Sequence, residues 1–281
     1  VVAGKFSIDE ITGSSWAYGP AGLFKRTPGK KTPQGFQGFA ACSKIAVSFA
    51  KATGAKFVVG VVMCHAFEWD LTKGALAAVD DTLSNTFNSV LRLVYTTIPK
   101  DESGEFLCDG LQLFMDNRFA QPKLLVLLLA LFGVYTTCTI RTNLFPLDKV
   151  VKAHMIPAAW EKKTISDNQK KEFREQKGNI CSWDCLTLFV CFDQGLTKMV
   201  TTLPGVDLQV KETVEKQRRK FLPRIVKFKY WLCNLYTQWM DAMDIEDHQR
   251  VMNGCAAPPF CPLLLAVTLR CTNGADPAAG V

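Results

Sequence analysis

Seventeen consecutive residues, LLVLLLALFGVYTTCTI from Leu124 to Ile140, carry no charge, and few folds can accommodate such a run. A bilayer-spanning helix needs about 20 apolar residues. This run is shorter and contains Gly133, where it changes from Leu-rich to β-branched and Thr-rich. A helix followed by a buried strand accounts for that change, so no membrane association is expected. The flanking sequence fits the same reading. Pro122 can open the helix, Gly133 can close it, and LQLFMD before it reads as a strand. VYTTCTIRT after it reads as another.

The residues upstream supply further elements of the same kind. FSIDEIT (Phe6 to Thr12) is a short strand, followed by a connector, Gly19 to Gly35, that contains Pro20, Pro28, Gly29 and Pro33. Those turn formers predict an irregular surface loop. GFAACSKIAVSFA and AKFVVGVVMCHAF are rich in Val, Ala and Phe and read as buried strands. From Asp81 to Ile98 the apolar residues Phe87, Val90, Leu91 and Val94 fall three and four apart, which predicts a helix capped by Asp81 or Ser84. Strands, helix, strand, helix, strand describe an α/β layer built on a mixed sheet.

After Asn143 the texture changes. EKKTISDNQKKEFREQKGN (Glu161 to Asn179) is strongly polar and predicts an exposed, loosely ordered insertion. ICSWDCLTLFVCF resumes as a strand pair, and YWLCNLYTQWMDAMDIEDHQR ends the patterned part of the chain. The expected division is a first core part over 1–147 and an insertion domain over 148–215. A final helical core part over 216–252 and an irregular tail over 253–281 complete it.

Two kinds of candidate site emerge. Asp116 ends an apolar run just before a helix, so it is either a helix cap or half of a metal site. Asp244 and Asp247 are three residues apart and share one helical face, where like charges repel unless a cation lies between them. Three carboxylates around hard divalent ions form the arrangement used for phosphoryl transfer. On the bland reading Asp116 caps a helix, and Asp241, Asp244, Glu246 and Asp247 form a solvated face. The second candidate is basic. Lys216, Arg218, Arg219, Lys220, Arg224, Lys227 and Lys229 follow one another without an intervening acid, and suit either phosphate contact or an ordinary solvated surface. A net charge of +7 permits nucleic acid without demanding it.

Eleven cysteines, odd in number and scattered through apolar runs, suit buried intracellular thiols better than a disulfide framework. Cys181, Cys185 and Cys191 alternate as in a strand and lack a second pair at zinc-ligand spacing, so no zinc is expected. His65, in an apolar strand, reads as a core histidine. The N-terminus has no signal-peptide pattern, and its lack of an initiator Met suits a fragment of a longer protein.

Several of these segments, taken in order, resemble the piggyBac transposases and their domesticated derivatives. SVLRLVYTTIPK, LFMDNRF and GVYTTCTIRTN resemble that family's VVLRL…IP helix, FDNFFTS strand end and GIYATGTIRxNR strand. SIDE (Ser7 to Glu10) resembles its SIDE/VDE strand, and KTPQGFQGFAACS its KPxPVGLKNFVLAS strand. YTQWMDAMDIEDHQ is similar to YNKxMGGVDxxDQ at Tyr236, Met240, Asp244 and Asp247. The resemblance runs over most of residues 5–250.

The resemblance implies an RNase H-like mixed sheet flanked by helices and interrupted by an insertion domain. It also implies a carboxylate cluster that cuts and joins DNA with Mg²⁺. Carried over, Asp116 takes the place of the second catalytic aspartate, Asp244 the third and Asp247 the additional acid one turn later. The first aspartate aligns with Ser43, which brings no charge to a divalent cation. Asp9 and Asp70 are the nearest acids in sequence, and neither aligns with that place. Asp241 and Ala242 also stand where the family has two glycines. The expectation is therefore a nuclear, transposase-derived protein that binds double-stranded DNA, with an eroded catalytic site and a possible homodimer. The alternatives are an active Mg²⁺-dependent DNA transposase and a domesticated scaffold that binds a protein partner.

Overall fold

The computed structural model describes residues 4–14, 24–26, 34–50, 56–69, 79–107, 110–141, 145, 149–162, 164–193, 195–216 and 225–240. Its centre is a nine-stranded mixed sheet. Strand β1 (Lys5–Ser14) is flanked on one side by antiparallel β3 (Gln34–Ala50), which also pairs with β2 (Phe24–Arg26) and β4 (Lys56–Trp69). On the other side of β1 lie the parallel strands β5 (Gln112–Met115) and β6 (Tyr135–Thr139). The sheet continues through antiparallel β9 (Leu196–Thr201), β8 (Leu186–Phe192) and β7 (Asn179–Trp183). The connector expected to be irregular thus contributes β2, held by pairing to β3 that no local pattern announces.

Two helices cover one face. Helix α1 (Asn85–Thr97) starts at Ser84, whose Oγ accepts from the Phe87 N–H, and the Asn88 side chain closes the preceding turn on the carbonyls of Asp80, Leu83 and Ser84. Helix α2 (Pro122–Phe132) opens at Pro122 and stops at Gly133, which adopts the left-handed conformation (φ 63°) that an L side chain disfavours. The uncharged run therefore divides between the 11-residue helix α2, which it fills from Leu124 to Phe132, and the five-residue strand β6. Among the described residues no helix is long and apolar enough to cross a membrane. Val90, Leu91 and Val94 of α1 and Leu124, Leu125 and Leu128 of α2 pack on Phe6, Ile8, Leu113 and Met115 in one buried cluster. Each such side chain contributes about 1.5–3 kcal/mol by leaving water.

The segment expected to be loosely ordered is structured. Helix α3 (Lys149–Met155) leads through a 3₁₀ turn (Ala158–Glu161) to helix α4 (Asp167–Glu175). Ser166 and Gln169 form a reciprocal capping box at its start. Phe173 projects inward to meet Trp160 and Phe192, with ring centroids 6.4 and 5.3 Å away. One aromatic anchor and a satisfied N-terminus hold a helix whose other residues are almost all charged or amide.

The opposite face carries a hairpin, β10 (Lys211–Lys216) with β11 (Ile225–Tyr230), and a helix, α5, over residues 231–240. Along α5, Cys233 contacts Cys191 of β8 and Met199 of β9, Tyr236 reaches Thr139 at the end of β6, and Trp239 stacks on Phe114 of β5 at 6.3 Å. The backbone carbonyl of Gln238 accepts from Lys44 of β3. Helix α5 therefore crosses the sheet from β8 and β9 toward β3.

Candidate acid site at the sheet end

The parallel register fixes the site. Ile8 pairs with Met115, and both side chains enter the α1–α2 core. The next residue on each strand is an aspartate, Asp9 after Ile8 and Asp116 after Met115. Side chains alternate across a strand, so both leave toward the face that α5 covers. Neighbouring strands lie about 4.8 Å apart, which brings the two carboxylates to one end of the sheet side by side.

Asp116 is held by its own turn. Its Oδ1 accepts from the Asn117 backbone N–H at 2.6 Å and from Asn117 Nδ2 at 2.6 Å, and it caps the 3₁₀ turn Asn117–Phe119. Thr139 Oγ1 donates to the same oxygen at 3.4 Å. Asp116 thus caps a short 3₁₀ turn, and Asp9 is the acid on the neighbouring strand. The longer helix α2 has no side-chain cap and starts on Pro122 instead. On Asp9, Oδ1 accepts from the Glu10 N–H at 2.7 Å. Glu10 itself is turned away and ion-paired with Arg118, whose guanidinium lies over the Phe39 ring.

Tyr236 closes the site from α5. Its hydroxyl lies 3.2 Å from Thr139 Oγ1. Burial pushes the phenol well above its ordinary pKa, and the negative charges of Asp116 and Asp9 add to the effect. Burial, and after it the charge of Asp116, raises the thiol of Cys138 as well.

Ser43 is elsewhere. Ala40 of β3 pairs with Asp9, whereas Ser43 stands three residues further along, about 10 Å away at 3.3 Å per residue. It is fully buried, and its Oγ lies 2.6 Å from Nε2 of His65. His65 reaches it because β4 bulges there: Ala41 pairs with Ala66 and Cys42 with Cys64, which leaves His65 as the extra residue. Burial lowers the His65 pKa, so the ring is neutral near pH 7 and serves as the polar partner of a core serine. The acid next to Asp116 is therefore Asp9, not the residue at the aligned position. A signal for it exists in the sequence, since Phe6–Asp9 (FSID) and Leu113–Asp116 (LFMD) have the same form. Only the parallel pairing shows that the two are neighbours.

Asp70, Asp244 and Asp247 lie outside the described residues, as do Arg218, Arg219, Lys220 and Arg224. Lys216 and Lys227 belong to the backbone of the β10–β11 hairpin, with Lys216 opposite Ile225 at the end that leads into residues 217–224. Lys229, at the other end, faces Asp193 at 3.6 Å. Cys181, Cys185 and Cys191 are free thiols, and no group of three His, Cys, Asp or Glu among the described residues could hold a metal ion.

A cryo-EM structure of piggyBac transposase in a synaptic complex with hairpin DNA superposes on this chain with a TM-score of 0.53, at 14% sequence identity. The chain shares its fold with piggyBac transposase. The match covers 89% of this chain and 41% of the transposase chain. No protein-family model and no curated protein matches the sequence. The mixed sheet with α1 and α2 on one face is accordingly RNase H-like, as the resemblance implied.

Proposed function

We propose that this chain is a DNA-binding protein derived from a piggyBac-type transposase, located in the nucleus and acting on double-stranded DNA. The observation that supports it best is the shared fold, together with a basic run from Lys216 to Lys229 that begins on β10 and ends on β11. In this reading Lys216, Arg218, Arg219, Lys220, Arg224 and Lys227 contact phosphates, and the site aligned with the family's first aspartate has eroded to Ser43. Fluorescence anisotropy with a duplex oligonucleotide tests it. Binding should weaken markedly when Arg218, Arg219 and Lys220 are replaced together by Ala, and a chain with no affinity for duplex DNA at low salt would overturn the reading.

A second reading is favoured by one specific observation, the Asp9–Asp116 neighbourhood. Two aspartates on adjacent parallel strands supply oxygen donors of the kind that divalent cations prefer. Asp116 Oδ1 is already occupied by three donors, so Oδ2 is the oxygen that suits a cation. In this reading Asp9 replaces the acid lost at Ser43, and Asp116, Asp244 and Asp247 complete an active DNA transposase site. A bound Mg²⁺ would activate the attacking oxygen and stabilise the leaving one. The chain's own residues fix the carboxylates and, through α5, cover the sheet end. Nicking of terminal-repeat DNA with Mg²⁺ or Mn²⁺, abolished by Asp116→Ala, would establish it. No nicking by the parent chain would leave the first reading alone.

A further inference from the structure

The hydroxyl of Tyr236 has a defined role in the hydrogen bonding around Asp116. Thr139 has a single proton, and geometry directs it to Asp116 Oδ1. Tyr236 must therefore be the donor in its 3.2 Å contact with Thr139. Burial and the two nearby carboxylates keep that proton on the phenol, so the direction of the chain does not reverse with pH. The relay runs Tyr236 to Thr139 to Asp116.

Two consequences follow from the packing. Three donors on one oxygen set the Asp116 carboxylate about its Cβ–Cγ bond and leave the other oxygen as the one that suits a cation. The donor that begins the relay belongs to α5, which is seated by Cys233 on β8 and β9 and by Trp239 on β5. Asp244 and Asp247 follow in the same chain eight and eleven residues after Tyr236.

We propose that Tyr236 is a positioning residue that acts through Thr139 on the Asp116 carboxylate, so that seating of α5 and cation binding at the sheet end are coupled. This rests on the reading in which Asp9 and Asp116 hold a divalent cation. The coupling is reciprocal: a cation held by Asp116 also steadies α5.

The test is a Mn²⁺ titration of the full chain followed by electron paramagnetic resonance, with circular dichroism and thermal melting of each variant. Asp116→Asn should abolish binding. Tyr236→Phe and Thr139→Val should each weaken it about threefold to tenfold, the worth of one net hydrogen bond. Thr139→Ser, which keeps the hydroxyl, should bind Mn²⁺ like the parent. If Asp116→Asn abolishes binding while Tyr236→Phe and Thr139→Val bind normally, the relay is wrong and the cation reading survives. Weaker binding by Tyr236→Phe with unchanged Thr139→Val would also overturn the relay, since Thr139→Val breaks it while leaving every side chain of α5 in place. A parent chain that binds no Mn²⁺ removes the cation reading and the relay together.

Discussion

Asp9 and Asp116 stand next to one another on adjacent parallel strands, one residue beyond the Ile8–Met115 pair. The apolar residues before them anchor both strands in the α1–α2 core, so neither backbone can withdraw to relieve repulsion between the two carboxylates. In such an arrangement the two like charges repel one another. It becomes useful once a cation is present, because the strain is already built into a rigid sheet rather than into a loop.

Neutralising one member should therefore stabilise the metal-free protein. Like charges directly across a strand pair cost about 0.2–1 kcal/mol. Asp9→Asn keeps an oxygen for the Glu10 N–H and removes the charge. Its melting temperature without divalent ions should rise by about 1–4 °C. The stabilisation that Mn²⁺ gives the parent should disappear. Scanning calorimetry with and without Mn²⁺ checks both halves, and a variant less stable than the parent without metal would mean that the carboxylates do not repel.

Close packing between β3 and β4 makes a second prediction. A Cβ on Gly38 would meet the Phe67 ring at 2.5 Å and the Glu68 carbonyl oxygen at 2.8 Å. The ring could turn aside, but the carbonyl is backbone and belongs to the residue whose side chain ties β4 to α1. Glu68 accepts from Ser89 at 2.5 Å and pairs with Arg92. Gly38→Ala should destabilise by about 1–3 kcal/mol, the usual cost of overpacking. A lower urea midpoint with an unchanged slope would be the signature.

How much of this was legible in the sequence follows from the range of each interaction. Helix α1 announces itself through Ser84 and the spacing of Val90, Leu91 and Val94, and α2 through Pro122 and Gly133, because caps and periodicity are local. Helix α4 was obscured because a single apolar residue, Phe173, makes its core contact, and a charge-rich run around one aromatic looks like solvated chain. Asp116 could be picked out by its place after an apolar run. Asp9 follows a run of the same form, but its importance depends on which strand lies beside it, and alignment pointed to Ser43 instead. The His65 bulge that satisfies Ser43 is equally a matter of register between distant strands.

The start of α1 offers a pH test. Asp80 accepts from the Thr82 hydroxyl, from Lys123 and from the Thr82 backbone N–H, and these bonds lower its pKa to about 2. A folded-state pKa below the unfolded value of 3.8 means the carboxylate favours folding above about pH 4. That contribution is lost as the pH falls toward 2. Asp80→Asn should be less stable than the parent at pH 7, with the difference closing between about pH 4 and pH 2. Paired urea titrations at pH 7 and pH 2.5 measure it, and a gap that stays constant would show that the charge on Asp80 is irrelevant.

The basic hairpin allows structure to separate two kinds of lysine. Lys229 is half-buried and faces Asp193 at 3.6 Å, so its charge is already engaged within the fold. Arg218, Arg219 and Lys220 are in the proposed phosphate-contacting set. Each phosphate neutralised on duplex DNA contributes about 0.9 to the slope of log K against log salt concentration. Replacing those three residues by Ala should reduce the slope by about 2.7, with binding weakened most at low salt. Lys229→Ala should leave the slope unchanged while lowering the melting temperature, because it strands Asp193 without removing a phosphate contact. Anisotropy titrations from 50 to 200 mM salt, about the range over which such slopes are read, distinguish the two. If Lys229→Ala flattens the slope as the triple variant does, the whole hairpin carries the DNA charge and the ion pair with Asp193 must open when DNA binds.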